Sequence, residues 1–206
     1  MTPNDLGTIA LWTGIGFFCG SLMLAYWLGS LVLRRDLRAV GDGNPGATNV
    51  IKAGGLRIGL LAMALDVIKG MVPVGIAVWI VGIHGAGLVL VALAPIFGHA
   101  FSPFLRFKGG KAVAVSGGVW IALTAWEIPT FAGILLGLWF SIIEVSGWAI
   151  VMLLTCLLAY MILAHPDPTL LTIMIINSAL LVTKYRADLR QFPRPRAWLR
   201  RRLGMA

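Results

Sequence analysis

The stretch IPTFAGILLGLWFSIIEVSGWAIVMLLTCLLAYMILA, running from Ile128 to Ala164, decides the fold. Read as one helix, its 37 residues would rise about 55 Å, whereas a bilayer's hydrocarbon core is only ~30 Å thick. A single crossing would also leave the basic C-terminus on the external face. A break near Glu144 to Ser146 removes both faults and yields two spans. Working outward, apolar runs at 7–33, 58–83, 86–103 and 112–126 precede it, and a short span at 169–183 follows a turn marked by Pro166 and Pro168. The expected fold class is therefore an all-α polytopic membrane protein with seven transmembrane helices in a single domain, residues 1–206, ending in a basic tail at 184–206. The first run, Gly7 to Leu33, lacks a basic leader and outlasts a signal-peptide core, which marks it as a retained helix.

Charge placement orients these spans. Of 17 Lys and Arg residues, all but Lys69 fall in three clusters: Arg34 to Arg57, Arg106 to Lys111, and Lys184 to Arg202. Basic loops stay on the cytoplasmic side. The segments around Thr2, His84, Glu127 and His165 are then external, so the N-terminus is periplasmic and the C-terminus cytoplasmic. A net charge of +9 would suggest nucleic acid in a soluble chain, but here 59% of residues are hydrophobic and the charges hug span ends. The partners this pattern indicates are membrane lipids and no nucleic acid. Tyr185, Phe192 and Trp198, interleaved with the tail's eight basic residues, suit interfacial anchoring. Cys19 and Cys156 lie in apolar runs and pack as small hydrophobes, so neither a disulfide nor a metal follows from them.

This parity gathers four polar segments on the cytoplasmic face: the loop Gly41-Asp42-Gly43-Asn44-Pro45-Gly46-Ala47-Thr48-Asn49, the loop Phe107-Lys108-Gly109-Gly110-Lys111, the turn at Ser146, and the tail from Lys184. Glycines let backbone N–H groups turn toward an anion, and neighbouring lysines neutralise phosphate charge. Neither loop spells a Walker pattern, which argues against a nucleoside triphosphate. Each feature also has a plainer meaning. Asn44-Pro45-Gly46 is ordinary turn chemistry, Asn49 suits a helix cap, and Gly109-Gly110 suits a helix end. Asp66 and Lys69 share a helix face at i, i+3, either as an internal ion pair or with Lys69 reaching toward a bound anion. His99 is the only histidine near the cytoplasmic face, and its apolar neighbours fit a structural role better than a catalytic base.

The residues resemble the acyl-phosphate-dependent glycerol-3-phosphate acyltransferases of bacteria, the PlsY family of seven-helix inner-membrane enzymes. The resemblance covers nearly the whole chain. It rests on Gly41 to Asn49, on Asp66, Lys69-Gly70 and Pro73, and on the long block Gly98-His99-Ala100-Phe101-Ser102-Pro103-Phe104-Leu105-Arg106-Phe107-Lys108-Gly109-Gly110-Lys111. A third motif, normally His-Arg-x-Asn, falls at Tyr185-Arg186-Ala187-Asp188. The resemblance implies transfer of a fatty acyl group from acyl phosphate to glycerol 3-phosphate, giving lysophosphatidate and inorganic phosphate for phospholipid synthesis. It further implies an inner-membrane location, no cofactor or metal, and a phosphate acyltransferase that supplies the donor. The catalytic residues it implies are Asp42, Asn44, Lys108, Arg186 and Asp188. The substrate-binding residues are Gly41, Gly43, Gly46, Thr48, Asn49, Lys69, His99, Ser102, Gly109, Gly110, Lys111, Ser146 and Tyr185.

The chain departs from the family pattern at Asp42, where the family has serine, at Tyr185 and Asp188, where it has histidine and asparagine, and at Ala112, where glycine is common. Asp42 either acts as base for the glycerol hydroxyl, its charge offset by Arg186, or marks a catalytically degenerate paralogue that binds phosphate-bearing ligands or partners. A donor phosphate oxygen can also take the proton. Beyond the enzyme class, Asp66 and Lys69 could line a transport path, although no internal repeat is visible. A membrane scaffold using its basic tail is a third class.

Overall fold

The computed structural model describes residues 2, 4–202 and 204, and all regular elements among them are helices. Four runs are long and apolar enough to cross a membrane: Leu6–Leu33, Leu56–Ile80, Gly85–Leu105 and Ser146–Ala164. Three shorter apolar helices, Val113–Thr124, Glu127–Ile142 and Pro168–Lys184, accompany them. The chain divides into two compact units, Met1–Ala125 and Trp126–Ala206.

In the first unit the run expected as one span over 7–33 is two helices, α1 (Leu6–Ser21) and α2 (Leu24–Leu33), separated by Leu22 and Met23. Nothing local forces this break, since the residues there are Ser, Leu and Met. α3 (Ala47–Gly54) is a short loop helix whose N-cap is Gly46, so Asn49 lies inside its first turn and does not cap it. α4 (Leu56–Gly75) runs on through a π-helical turn at Ile76–Ile80, and α5 (Gly85–Ala100) and α6 (Val113–Thr124) complete the unit. α1 packs along α5 and α4 packs along α6. Small residues permit both approaches: a Cβ on Gly20 would overlap the Pro95 backbone, and one on Gly118 would overlap the Val67 carbonyl oxygen. Without water between helices, such close backbone contact is the main source of helix association. At one end of this unit the Asn4 amide donates to the His84 ring, which joins two of the four segments expected on the external side.

The second unit opens with the stretch that decides the fold. α7 (Glu127–Ile142) and α8 (Ser146–Ala164) are separate helices, divided at residues 143–145 where the sequence places the break. α9 (Pro168–Lys184) begins at Pro168, with Asp167 accepting a hydrogen bond from the Leu170 N–H at 2.8 Å. α10 (Arg186–Leu189) and α11 (Ala197–Arg202) make up the tail. The tail clasps the α7–α8 turn through backbone bonds: the Glu144 N–H donates to the Arg194 carbonyl at 2.9 Å, and the Arg196 N–H donates to the Ile142 carbonyl at 2.8 Å. The indoles of Trp148 and Trp198 add bonds to the carbonyls of Gln191 and Ser141. At the opposite end of α8, Glu127 Oε1 accepts from the Tyr160 hydroxyl at 2.5 Å and contacts His165 Nε2 at 2.6 Å.

Candidate active site

The two glycine loops, 66 residues apart at Gly43 and Gly109, are fastened together within the first unit. Asn44 Oδ1 accepts the backbone N–H of Lys111 at 3.0 Å, and the Lys111 ammonium lies 2.9 Å from Asp42 Oδ2. The other Asp42 oxygen accepts from the Asn49 amide at 2.8 Å and from the Asn44 backbone N–H at 3.2 Å. Asn49 also donates to the Asn44 carbonyl at 2.9 Å, and it is fully buried. α3 therefore presents Asn49 as a post around which the first loop is wound. Lys108 and Thr48 are exposed.

Burial raises the Asp42 carboxyl's affinity for its proton, but the Lys111 ammonium, the Asn49 amide and the Asn44 N–H outweigh it and hold the group below the ordinary carboxylate range. A folded-state value below the unfolded one stabilises the loop above the ordinary carboxylate range, and this contribution is lost as pH falls through the lowered value. Asp42 is thus ionised and paired at neutral pH. A carboxylate held that way is a poor acceptor for a hydroxyl proton.

The Lys108 loop owes its shape to His99. The Gly110 N–H donates to the His99 carbonyl at 3.1 Å. A Cβ on Gly109 would overlap that same carbonyl oxygen, and one on Gly110 would overlap His99 Nε2. The glycine pair thus lets the loop lie directly on the end of α5. Strain surrounds it: Arg106, Phe107 and Ala112 all have left-handed backbone, with φ of 53°, 61° and 64°. Such positions cost side chains with a Cβ roughly 1–2 kcal/mol. Ala112→Gly, restoring the residue common in the resembling sequences, is expected to stabilise the protein by about 0.5–1 kcal/mol, read as a rise in the melting temperature in detergent.

Beneath the loops lies a buried polar cluster. The Lys69 ammonium donates to the Leu22 carbonyl at 2.6 Å and pairs with Asp66 Oδ1 at 2.8 Å. The Ser102 hydroxyl donates to the Ser21 carbonyl at 2.7 Å, and the Ala25 amide lies against the Asp66 carboxylate. His99 Nδ1 stands 3.9 Å from Asp66 Oδ1, an electrostatic contact rather than a hydrogen bond. These groups serve the carbonyls and amide left over where α1 stops and α2 starts. Lys69 and Ser102, singled out in the sequence as binding residues, are engaged here with backbone.

A family model described as glycerol-3-phosphate acyltransferase matches residues 10–194. The chain belongs to that family. It is 44% identical over 117 residues to glycerol-3-phosphate acyltransferase 1 of Thermotoga maritima, covering 56% of this chain and 57% of that one. It is 36% identical over 149 residues to the glycerol-3-phosphate acyltransferase of Proteus mirabilis, covering 72% of this chain and 64% of the relative. The matched region thus spans under two thirds of those relatives. Over 97% of this chain and 94% of the other, the fold matches the crystal structure of PlsY, an integral membrane glycerol 3-phosphate acyltransferase, in its glycerol 3-phosphate form, with a TM-score of 0.79 and 28% identity. The lysophosphatidic acid form of PlsY matches with a TM-score of 0.76. The protein is accordingly an all-α integral membrane member of the acyltransferase family.

The remaining residues of the acyltransferase pattern sit in the second unit. Ser146 is the first residue of α8, and Gly147 next to it abuts Asp188, where an added Cβ would come 2.7 Å from the Asp188 Cβ. Tyr185 is buried at the α9–α10 junction, and Arg186 is exposed at the start of α10. One residue escaped the sequence reading: Lys52, whose ammonium would stand 2.9 Å from a Cβ on Gly41. It has no carboxylate partner among the described residues. The available signal was its spacing, three residues after Asn49 on α3, which puts both on the face that carries the loop.

Proposed function

We propose that the chain transfers a fatty acyl group from acyl phosphate to glycerol 3-phosphate, forming lysophosphatidate and inorganic phosphate. The reading includes seven membrane-crossing helices in one acyltransferase domain of the bacterial inner membrane, with the N-terminus periplasmic and the C-terminus and active site on the cytoplasmic side. The observation that carries it is the joining of two glycine loops through Lys111, in a chain of the glycerol-3-phosphate acyltransferase family.

An acyl phosphate is a mixed anhydride and needs no further activation. The acceptor hydroxyl oxygen forms a bond to the acyl carbonyl carbon, the bond from that carbon to the phosphate oxygen breaks, and the hydroxyl proton passes to a phosphate oxygen, so hydrogen phosphate departs. The lowered basicity of Asp42 supports the phosphate oxygen as proton acceptor over the side chain. The protein's task is then to hold two phosphate-bearing anions together against their repulsion. Lys108 and Lys111 on the second loop and Lys52 on α3 supply positive charge, while Asn44 and the loop N–H groups orient the phosphates. Apolar helix walls accept the acyl chain, at about 0.8 kcal/mol per buried methylene.

The test is phosphate release by the purified full chain from palmitoyl phosphate, with and without glycerol 3-phosphate. Release is expected to depend on the acceptor and to fall about a hundredfold in Lys111→Ala and in Lys108→Ala. Absent release from folded protein would favour a binding-only paralogue, a reading to which the pairing of Lys111 with Asp42 lends itself, whereas acceptor-independent release would mean that water takes the acyl group in place of glycerol 3-phosphate.

A further inference from the structure

Three lysines stand on or beside the two joined loops, and they are not equivalent. Lys52 and Lys108 have no carboxylate partner among the described residues. Lys111, whose side chain is 17% exposed, faces Asp42 Oδ2 at 2.9 Å. That carboxylate does not hang freely in solvent. Its other oxygen is fixed by Asn49, itself fully buried, and by the Asn44 amide. The lysine that is bonded to both loops therefore already has a fixed anion on it.

We propose that Asp42 is a built-in competitor for substrate phosphate at Lys111, and so a specificity-determining residue that weakens the site's hold on phosphate-bearing substrates. The argument is one of charge. A phosphate attracted to the glycine loops must either share Lys111 with the carboxylate or displace it from the ammonium against the bonds from Asn49 and Asn44, and either course weakens its binding. A neutral side chain at the same place, such as the serine of the resembling sequences, takes the negative charge away from the ammonium. The proposal rests on the acyltransferase reading for its substrate names but not for its physics.

Asp42→Asn is the informative variant, because its Oδ1 can keep the bonds from Asn49 and Asn44 while the charge goes. Asp42→Ser checks the result with a different shape. Removing a charge a few ångströms from a bound anion in a partly wet site is expected to tighten phosphate binding about tenfold. In steady-state assays this appears as a tenfold fall in KM for one substrate, and titrating glycerol 3-phosphate and palmitoyl phosphate separately shows which of them sits on Lys111. Calorimetric titration of inorganic phosphate into the solubilised full chain makes the same comparison without turnover. If the wild-type chain proves inactive yet Asp42→Asn binds inorganic phosphate more tightly, the functional reading fails and this inference stands. The gain should vanish when Lys111→Met is added. A rise in KM and weaker phosphate binding in both Asp42 variants would show that the pair only staples the loops, and an unchanged affinity would equally overturn the proposal.

Discussion

Lys69→Met is expected to destabilise the protein by about 3–5 kcal/mol, the cost of leaving a buried carboxylate without its cation. Asp66 and Lys69 are 2% and 5% exposed, so neither can turn to water when its partner is removed. The substitution also strips the Leu22 carbonyl of the donor 2.6 Å away, adding an orphaned backbone acceptor at the break between α1 and α2. Thermal unfolding in detergent, followed by intrinsic fluorescence, should show a loss of many degrees. The double variant Asp66→Asn with Lys69→Met separates the two effects. Neutralising both partners should recover part of the loss, while the shortfall that remains measures the service to Leu22. If Lys69→Met alone unfolded normally, the pair would not be what holds the break.

Gly109→Ala is expected to lower turnover about a hundredfold by displacing the Lys108 loop, since a shift near 1 Å at a positioning element can cost that much. The added Cβ would overlap the His99 carbonyl oxygen and come 3.0 Å from the carbonyl carbon and oxygen of Ala100. These are backbone atoms at the end of a helix, so no side-chain rotation relieves the clash. Over-packing of this kind also costs about 1–3 kcal/mol of stability. Gly117→Ala is the control. A Cβ there meets nothing within 4 Å, and in the interior of α6 it should raise stability by up to about 1 kcal/mol while leaving turnover unchanged. Phosphate release and melting temperature, measured side by side on the two variants, check both expectations. Equal activity in both would mean that the close seat of the loop on His99 is not needed for the chemistry.

The sequence made the loops legible because glycine, asparagine and lysine are rare in so apolar a chain and stand out wherever they cluster. It also carried the family pattern, since Gly98 to Lys111 is long and specific. It did not reveal which of these polar groups would face a ligand and which would face the protein's own backbone. Asn49 reads as a helix cap, yet it lies within α3 and holds Asp42. Lys69 reads equally as an anion ligand or an internal partner, and its ammonium meets Leu22 and Asp66. Lys52 went unnoticed because a single lysine on a short amphipathic helix looks like solvated surface until the helix is seen turned toward Gly41.

By itself, the sequence determined the apolar helices and the division at Glu144 to Ser146. Burial in lipid requires backbone bonds to be satisfied within each segment, and the bilayer limits how long a segment can be. Tertiary structure alone decided the break at Leu22 and Met23. The local residues there would continue a helix, and the carbonyls and amide freed by stopping it are served by Ser102, Lys69 and Asp66, which lie far away in the chain. The same holds for Asp42 and Lys111. Their charges are visible in the sequence, but that they cancel each other follows only from the folding of α3 and α5 that brings the two loops to 2.9 Å.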